Sequence, residues 1–214
     1  MSAILKDCVF VFEFLAAFVG IITFLRIRSS ILLYLSLILL FVFVSDYYGF
    51  LNQKSSEFSK FKYYNIVLFP PLVLYIAMYY HLLANLKAKI WALIGSLLYI
   101  GIYAVNIKFL QPIHTEFLTY SYCFGSLLLC INILVYLKES LETDKLPILK
   151  ESPFLWISFG LFTYYGVNLP FIGFYNYLAK VSQEFLTIYF NLTFVLSCIM
   201  NLLICIGLLC FKIR

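Results

Sequence analysis

Residues 31–51 read ILLYLSLILLFVFVSDYYGFL. The first fourteen of these residues are apolar apart from Tyr34 and Ser36, and Asp46 follows while the segment is still strongly hydrophobic. At a rise of about 1.5 Å per residue, about 20 apolar residues cross roughly 30 Å of hydrocarbon as a helix. The stretch therefore predicts a membrane-spanning helix that carries an acidic residue inside the bilayer.

The composition of the whole chain extends this prediction. Of its 214 residues, 64% are hydrophobic and only 12% are charged, whereas a soluble domain carries about 25% charged residues. A membrane β-barrel would show alternating segments of about ten residues, and the apolar runs of this chain do not alternate. We therefore predict an all-α polytopic membrane protein.

Charged or turn-rich gaps divide the sequence into seven apolar runs. Each run is long enough to span a bilayer as a helix. We predict one transmembrane domain over residues 1–214, folded as a bundle of seven transmembrane helices. The predicted spans are 8–25, 31–51, 64–84, 90–110, 115–137, 153–175 and 185–210.

Lysine and arginine residues set the expected orientation. The gaps on one side of the predicted bundle hold nine of them and those on the other side hold six. Cytoplasmic loops carry the excess of positive charge, so we expect the N-terminus outside and the C-terminus in the cytoplasm. The positive charges are scattered and form no basic block of the kind that binds nucleic acid, so we expect the lipid bilayer, and no nucleic acid, as partner.

Two acidic residues fall at nearly the same depth. Glu13 lies about 9 Å below the outer face in the first span, and Asp46 lies about 22 Å along the outward-running second span. A charged side chain in hydrocarbon costs several kcal/mol unless it meets a partner, water or the bundle interior. Amide and tyrosine side chains gather in the same outer half, which predicts a polar pocket open to the outside. The candidate ligand-binding residues are Glu13, Asp46, Asn65, Asn106, Tyr164, Asn168 and Asn191.

Other interpretations of these polar residues remain open. An asparagine in a membrane helix often joins two helices by hydrogen bonding, and this interpretation is preferred for Asn132 and Asn201. The two acids are either protonated in place, paired with Lys6 or Lys108, or share one proton between them. Pro170 frees the carbonyl of Gly166 and is the candidate hinge.

The sequence contains no motif of a known catalytic site. H-E-x-x-H, G-x-S-x-G and Walker sequences are absent, and none of the six cysteines forms C-x-x-C. We therefore predict no enzyme activity, no catalytic residues, no cofactor and no metal site.

Four stretches carry a resemblance: SDYYGFL (45–51), YYNIVLFPPLVLYIAMYYHLL (63–83), SPFLWISFGLFTYYGVNLPFIGF (152–174) and NLTFVLSCIMNLLICIGLLC (191–210). They resemble a group of seven-helix membrane proteins of Bacteroidota that are frequently encoded near histidine kinases. The resemblance implies a seven-helix fold in a bacterial inner membrane. The chain departs from the group at Phe124-Gly125, where an acidic residue is expected. The matching positions are Asp46, Tyr64, Asn65, Trp156, Asn168 and Asn201.

Three functional hypotheses follow. The first is a receptor-like or sensor-like protein that binds an unidentified small ligand or a cation from outside and signals to a membrane or cytoplasmic partner through the loop 138–152. The second is a small transporter or channel in which Glu13 and Asp46 carry protons or an ion. The third is a structural subunit of a membrane complex.

Overall fold

The structure is a computed structural model that describes residues 2–53, 55, 58–142 and 152–211. Every regular element in these ranges is a helix, and seven of the spans they form are long and apolar enough to cross a membrane. This confirms the predicted all-α seven-helix bundle of an integral membrane protein. The elements are α1 (Ser2–Ile27), α2 (Ser30–Asn52), α3 (Lys60–Val67), α4 (Phe69–Leu82), α5 (Leu86–Val105), a π-helical turn (Asn106–Leu110), α6 (Thr119–Glu142), α7 (Pro153–Gly173), α8 (Tyr175–Val181) and α9 (Gln183–Leu209).

The spanning segments follow the predicted apolar runs to within about five residues at each end, and two of the differences have a local cause. The third span breaks between α3 and α4 because Pro70 and Pro71 have no N–H group to donate to the preceding turn. The fifth span, α6, begins at Thr119 and not at 115, because residues 111–118 fold into a non-helical cap. The spans are Ile4–Ile27, Ser30–Asn52, Lys60–Leu82, Leu86–Leu110, Thr119–Glu142, Pro153–Gly173 and Gln183–Leu209.

Six spans form a closed ring. Helix α1 packs against α2 and α9, and the ring continues through α7, α6 and α4 back to α2. Helix α5 lies outside the ring against α4 and α6. Its outward face is apolar and open, with Trp91 71% and Leu97 63% exposed, which is the composition expected of a surface in contact with lipid.

Tyrosine side chains fill much of the ring interior. Tyr75 and Tyr165 meet edge to face with their ring centroids 6.1 Å apart. The hydroxyl of Tyr79 lies 2.7 Å from the hydroxyl of Ser158 and links the third span to the sixth. Because a buried tyrosine hydroxyl needs a hydrogen-bonding partner, this contact fixes how the two spans face each other.

The two ends of the bundle are named here by residues that mark them. The Lys6 end carries Lys6 and the cap 111–118, and the sequence predicts it to be the outer end. The Arg26 end carries Arg26 and the C-termini of α4, α6 and α9. A tight turn joins α1 to α2 there, and Arg28 adopts a left-handed backbone conformation in it, with φ of 55°.

Candidate functional site

The carboxyl groups of Glu13 and Asp46 meet inside the bundle. Glu13 extends from α1 and Asp46 from α2, and their carboxyl groups lie within hydrogen-bonding range of each other. Glu13 is only 4% exposed, and Asp46 is half-buried. The prediction that the two acids lie at the same depth on adjacent helices is therefore correct.

The surroundings of this pair supply little to neutralise it. Glu13 Oε2 is fully buried, and no N–H or O–H group in the described ranges donates a hydrogen bond to it. No lysine or arginine nitrogen described by the structure lies within 4 Å of either carboxyl group. Two carboxyl groups can hydrogen bond only when one of them holds a proton. A proton, or a cation in its place, between Glu13 and Asp46 would remove the repulsion that two carboxylates at this distance would have.

Lys6 precedes Glu13 by two turns of α1 and therefore lies closer than the acid pair to the end of the bundle. Its ammonium group donates a hydrogen bond to Gln53 Oε1 at 3.2 Å and lies 4.6 Å from the centroid of the Phe50 ring. It is close enough to Asp46 to interact with its charge, yet its partners are a neutral amide and an aromatic ring. A lysine so placed stabilises negative charge on the pair without forming an ion pair with it.

Three tyrosines surround the pair from other spans. Tyr64 and Tyr164 lie within electrostatic range of both carboxyl groups, and Tyr75 lies within range of Glu13. The Tyr64 hydroxyl rests on Gly49, where a Cβ atom would lie only 2.9 Å from it. Gly49 therefore permits Tyr64 to approach the helix that carries Asp46.

Sequence reasoning named Tyr164 as a candidate ligand-binding residue and missed Tyr75. A hydroxyl in the middle of the third span has no partner in lipid, and this is the signal that would have found Tyr75. Tyr63 is a structural neighbour, since its hydroxyl donates to the carbonyl of Ser45 at 2.7 Å. It holds α3 against the turn of α2 that precedes Asp46.

Asn65 organises the cap 111–118. Its Nδ2 donates to the carbonyls of Ile113 and Glu116 at 3.1 and 2.8 Å, and its Oδ1 accepts from the backbone N–H of Leu118 at 2.9 Å. The carbonyl of Asn65 itself accepts from the Tyr103 hydroxyl at 3.0 Å. The whole side-chain amide thus serves the cap and does not face Glu13 and Asp46.

Asn106 lies in a second network at the same end. Its Nδ2 donates to Gln111 Oε1 at 3.1 Å and to Ser121 Oγ at 3.0 Å. Gln111 in turn donates to Thr119 Oγ1 at 3.0 Å. Asn106 Oδ1 is buried and has no donor in the described part of the chain. This network closes the π-helical turn onto the start of α6.

Asn168 and Asn191 lie in the sixth and seventh spans. Asn168 donates to the carbonyl of Tyr164 at 3.0 Å and accepts from the Thr193 hydroxyl at 3.0 Å, so it connects α7 to α9 beside Tyr164. Asn191 Oδ1 is buried without a donor among the described residues. The described hydrogen bonds of Asn168 thus join α7 to α9 and do not involve Glu13 or Asp46.

The seven predicted residues do not line one cavity. Glu13, Asp46 and Tyr164 lie together, whereas Asn65 and Asn106 belong to the cap. A cavity of about 10 Å³, the size of one water molecule, lies under the cap beside Asn65. A larger one of about 360 Å³ lies at the Arg26 end. Neither of these two cavities is lined by the acid pair.

The structure describes the predicted hinge fully and the predicted partner loop only in part. Pro170 lies within α7, which continues to Gly173. Of the loop 138–152, residues 143–151 lie outside the described residues. Its first residues are anchored, since the Glu139 carboxylate accepts from the backbone N–H groups of Ala84 and Asn85 at 2.7 and 3.2 Å.

The structure leaves no room for a side chain at position 125. A Cβ atom on Gly125 would lie 2.7 Å from Cε2 of Tyr99, and Tyr99 is almost completely buried. The Tyr99 ring occupies the space that an acidic side chain would need.

Asn201 donates to the carbonyl of Ser197 in its own helix at 2.9 Å.

Comparisons with known proteins give no match. The chain matches no protein-family model, no curated protein and no solved structure. What the protein does is therefore inferred from the geometry of the Glu13–Asp46 site.

Proposed function

We propose that this chain is a receptor-like protein of the bacterial inner membrane, and that its ligand is a small cation, the proton included, held between Glu13 and Asp46. The observation that supports this most strongly is the absence of any described donor to the buried Oε2 of Glu13. A buried carboxyl group without a donor costs free energy unless a proton or cation occupies the site.

The arrangement of neighbouring groups favours entry from the Lys6 end. Asp46 is less buried than Glu13, and the polar contact of Lys6 with Gln53 lies between the pair and that end. Removing the proton leaves a negative charge that the Lys6 ammonium attracts over a short distance. A cation arriving from this end competes with Lys6 for the same carboxylate.

The packing toward the Arg26 end favours a receptor over a transporter. One turn beyond Glu13, Ala16 and Ala17 are fully buried. Two turns beyond Glu13 on α1, the carbonyl of Gly20 accepts a hydrogen bond from Ser36 Oγ on α2 at 2.8 Å. This bond holds α1 against α2. An ion that crosses the bilayer needs polar groups or water along its whole path, whereas this interface consists of closely packed small residues and a hydrogen bond that joins the two helices.

Occupancy of the site has a direct route to the rest of the bundle. Loss of the shared proton places two like charges in contact and drives α1 and α2 apart near the Lys6 end. Tyr164 lies within electrostatic range of the same pair, and Asn168, which donates to the Tyr164 carbonyl, accepts a hydrogen bond from Thr193 on α9. We propose that bending near Pro170 passes this change to a partner at the loop 138–152. A ligand shifts such an equilibrium only if it binds the two arrangements unequally.

The test is cation-dependent stabilisation of the purified protein in mild detergent. At a pH high enough to remove the shared proton, titration with Na⁺ or K⁺ is expected to raise the Tm of the wild type and to leave Asp46→Asn unchanged. Glu116→Gln is the matched control, because Glu116 is an acid at the Lys6 end that pairs with Lys180 at 3.3 Å. A Tm that responds equally in all three proteins contradicts the site.

Flux measurements separate the receptor from a transporter. The protein in sealed proteoliposomes is expected to pass neither protons nor Na⁺ above the rate of empty vesicles. Flux that is abolished by Asp46→Asn would replace the receptor by a transporter that uses the same two residues.

A further inference from the structure

A groove opens between α5 and α6 at the Arg26 end, remote from the acid pair. Its volume is about 360 Å³, and seven of its eight lining residues are hydrophobic. Ala88 and Ala92 form its α5 wall, and Leu128 and Val135 lie on α6 opposite them. Two alanines one turn apart leave the space that larger side chains would fill.

The groove faces the bilayer, because α5 lies outside the six-helix ring. Trp91 lines it and is 71% exposed, and Ile131 on the opposite wall is also exposed. Tryptophan near the end of a span is typical of the membrane–water interface. The groove thus runs from the interface into the hydrocarbon region, where its natural contacts are lipid chains.

Positive charge flanks the mouth of the groove. Lys87 and Lys89 lie on either side of Ala88 in the first turn of α5, and Lys89 Nζ lies 5.9 Å from the centroid of the Tyr80 ring. In the described part of the chain no carboxylate oxygen lies within 4 Å of either lysine nitrogen. These two charges are therefore available to an anion outside the protein.

The acidic groups that the structure describes at this end, Glu139 and Glu142, already have partners. Glu142 pairs with Lys138 at 3.7 Å. The Glu139 carboxylate accepts from the backbone N–H groups of Ala84 and Asn85. The mouth therefore combines an apolar slot with a net positive rim, which matches a ligand with an apolar chain and an anionic head.

We propose that this groove binds an anionic phospholipid, with one acyl chain between α5 and α6 and the phosphate group at Lys87 and Lys89. The charge at the mouth selects the lipid head, since each lysine near an anionic lipid surface contributes about fivefold in affinity. The apolar walls accept the chain without discriminating between lipid classes. This site is independent of the Glu13–Asp46 pair.

The head-group half of the proposal is tested by native mass spectrometry of the detergent-released protein. Phosphatidylglycerol or phosphatidylcholine with identical acyl chains is added, and the bound fractions are compared. The wild type is expected to retain phosphatidylglycerol about tenfold better or more. The double variant Lys87→Gln, Lys89→Gln is expected to lose this preference. The control double variant Lys60→Gln, Lys62→Gln, at the Lys6 end, is expected to keep it.

The acyl-chain half is tested by filling the groove. Ala88→Leu is expected to lower retention of both lipids severalfold, and Ala104→Leu, the same change on an exposed face of α5 outside the groove, is not. Thermal unfolding of both variants verifies that they are folded. Equal binding of the two lipids by the wild type, or unchanged phosphatidylglycerol binding by Ala88→Leu, would overturn the proposal. A dimer mass lost in Ala88→Leu would also overturn it, by assigning the groove to a second copy of the chain.

Discussion

Ser36 on α2 donates a 2.8 Å hydrogen bond to the backbone carbonyl of Gly20 on α1, with both groups inside the bundle. The contact is close because Gly20 lacks a side chain; a Cβ atom there would lie 3.2 Å from Cδ1 of Leu39. It fixes α1 to α2 on the Arg26 side of the acid pair. Any separation of these helices that starts at Glu13 and Asp46 must therefore spread toward the Lys6 end.

Removing this contact is expected to weaken the helix pair. Ser36→Ala deletes one buried interhelical hydrogen bond, so the free energy of unfolding is expected to fall by about 1 kcal/mol. Ser96→Ala is the control, because the Ser96 hydroxyl bonds only within its own helix, to the carbonyl of Ala92. Chemical unfolding in detergent compares the two variants, and equal losses would contradict an interhelical role for Ser36.

Glu13→Gln is expected to abolish the dependence of stability on the shared proton. A glutamine amide donates to the Asp46 carboxylate at any pH, whereas two carboxyl groups need a proton to stay in contact. The Tm of the wild type is therefore expected to fall as the pH rises and the proton leaves, because two negative charges then face each other. The Tm of Glu13→Gln is expected to change less over the same range.

The control for this experiment is Glu116→Gln, which removes an acid of the cap and leaves the pair intact. Its Tm is expected to follow the pH dependence of the wild type. Parallel curves for the wild type and Glu13→Gln would show that no proton is shared between Glu13 and Asp46.

Asn65→Ala is expected to release the cap 111–118. The substitution removes three hydrogen bonds to the cap backbone and leaves buried backbone groups without partners, at a cost of about 2 kcal/mol or more. Hydrogen exchange of the amides in this cap is expected to accelerate strongly. Asn52→Ala is the matched change at the same end, since the Asn52 amide donates only to Tyr48 in its own helix. Similar exchange in both variants would rule out the organising role of Asn65.

Gly125→Ala is expected to destabilise the contact between the fourth and fifth spans. The added methyl group would lie 2.7 Å from Tyr99, and overpacking of a tight core typically costs about 1–3 kcal/mol. Tyr99→Leu opens the same space, so the double variant is expected to recover part of the loss. The coupling energy from a double-mutant cycle measures this recovery, and simple additivity of the two changes would contradict the direct contact.

The sequence predicted the fold and the acid pair for simple physical reasons. Long apolar runs have few alternatives to a spanning helix, so the seven spans follow from hydropathy. Helices α1 and α2 are joined by a short turn and must be neighbours, and a rise of about 1.5 Å per residue brings Glu13 and Asp46 to one level. Depth and adjacency together were enough to predict their proximity.

The partners of the amides were beyond such reasoning. Depth alone places Asn65, Asn106 and Asp46 in one layer, but it does not say which side of a helix faces which neighbour. Asn65 and Asn106 turn toward the cap, whose irregular backbone needs donors and acceptors that hydropathy does not reveal. The position of the Tyr99 side chain beside Gly125 likewise depends on how α5 packs against α4 and α6. That packing is a tertiary property that the sequence pattern does not give.

The measurement that tests the central claim most directly is infrared spectroscopy of the C=O stretching band of protonated carboxyl groups. Spectra of the wild type at neutral pH are compared with those of Glu13→Gln and Asp46→Asn in the same detergent. We expect a protonated-carboxyl band in the wild type that weakens when Na⁺ or K⁺ is added, is lost in Glu13→Gln, and is shifted in Asp46→Asn, where Glu13 no longer shares its proton. A wild-type spectrum without this band in the absence of added cations, or a band that both substitutions leave unchanged, would contradict the account.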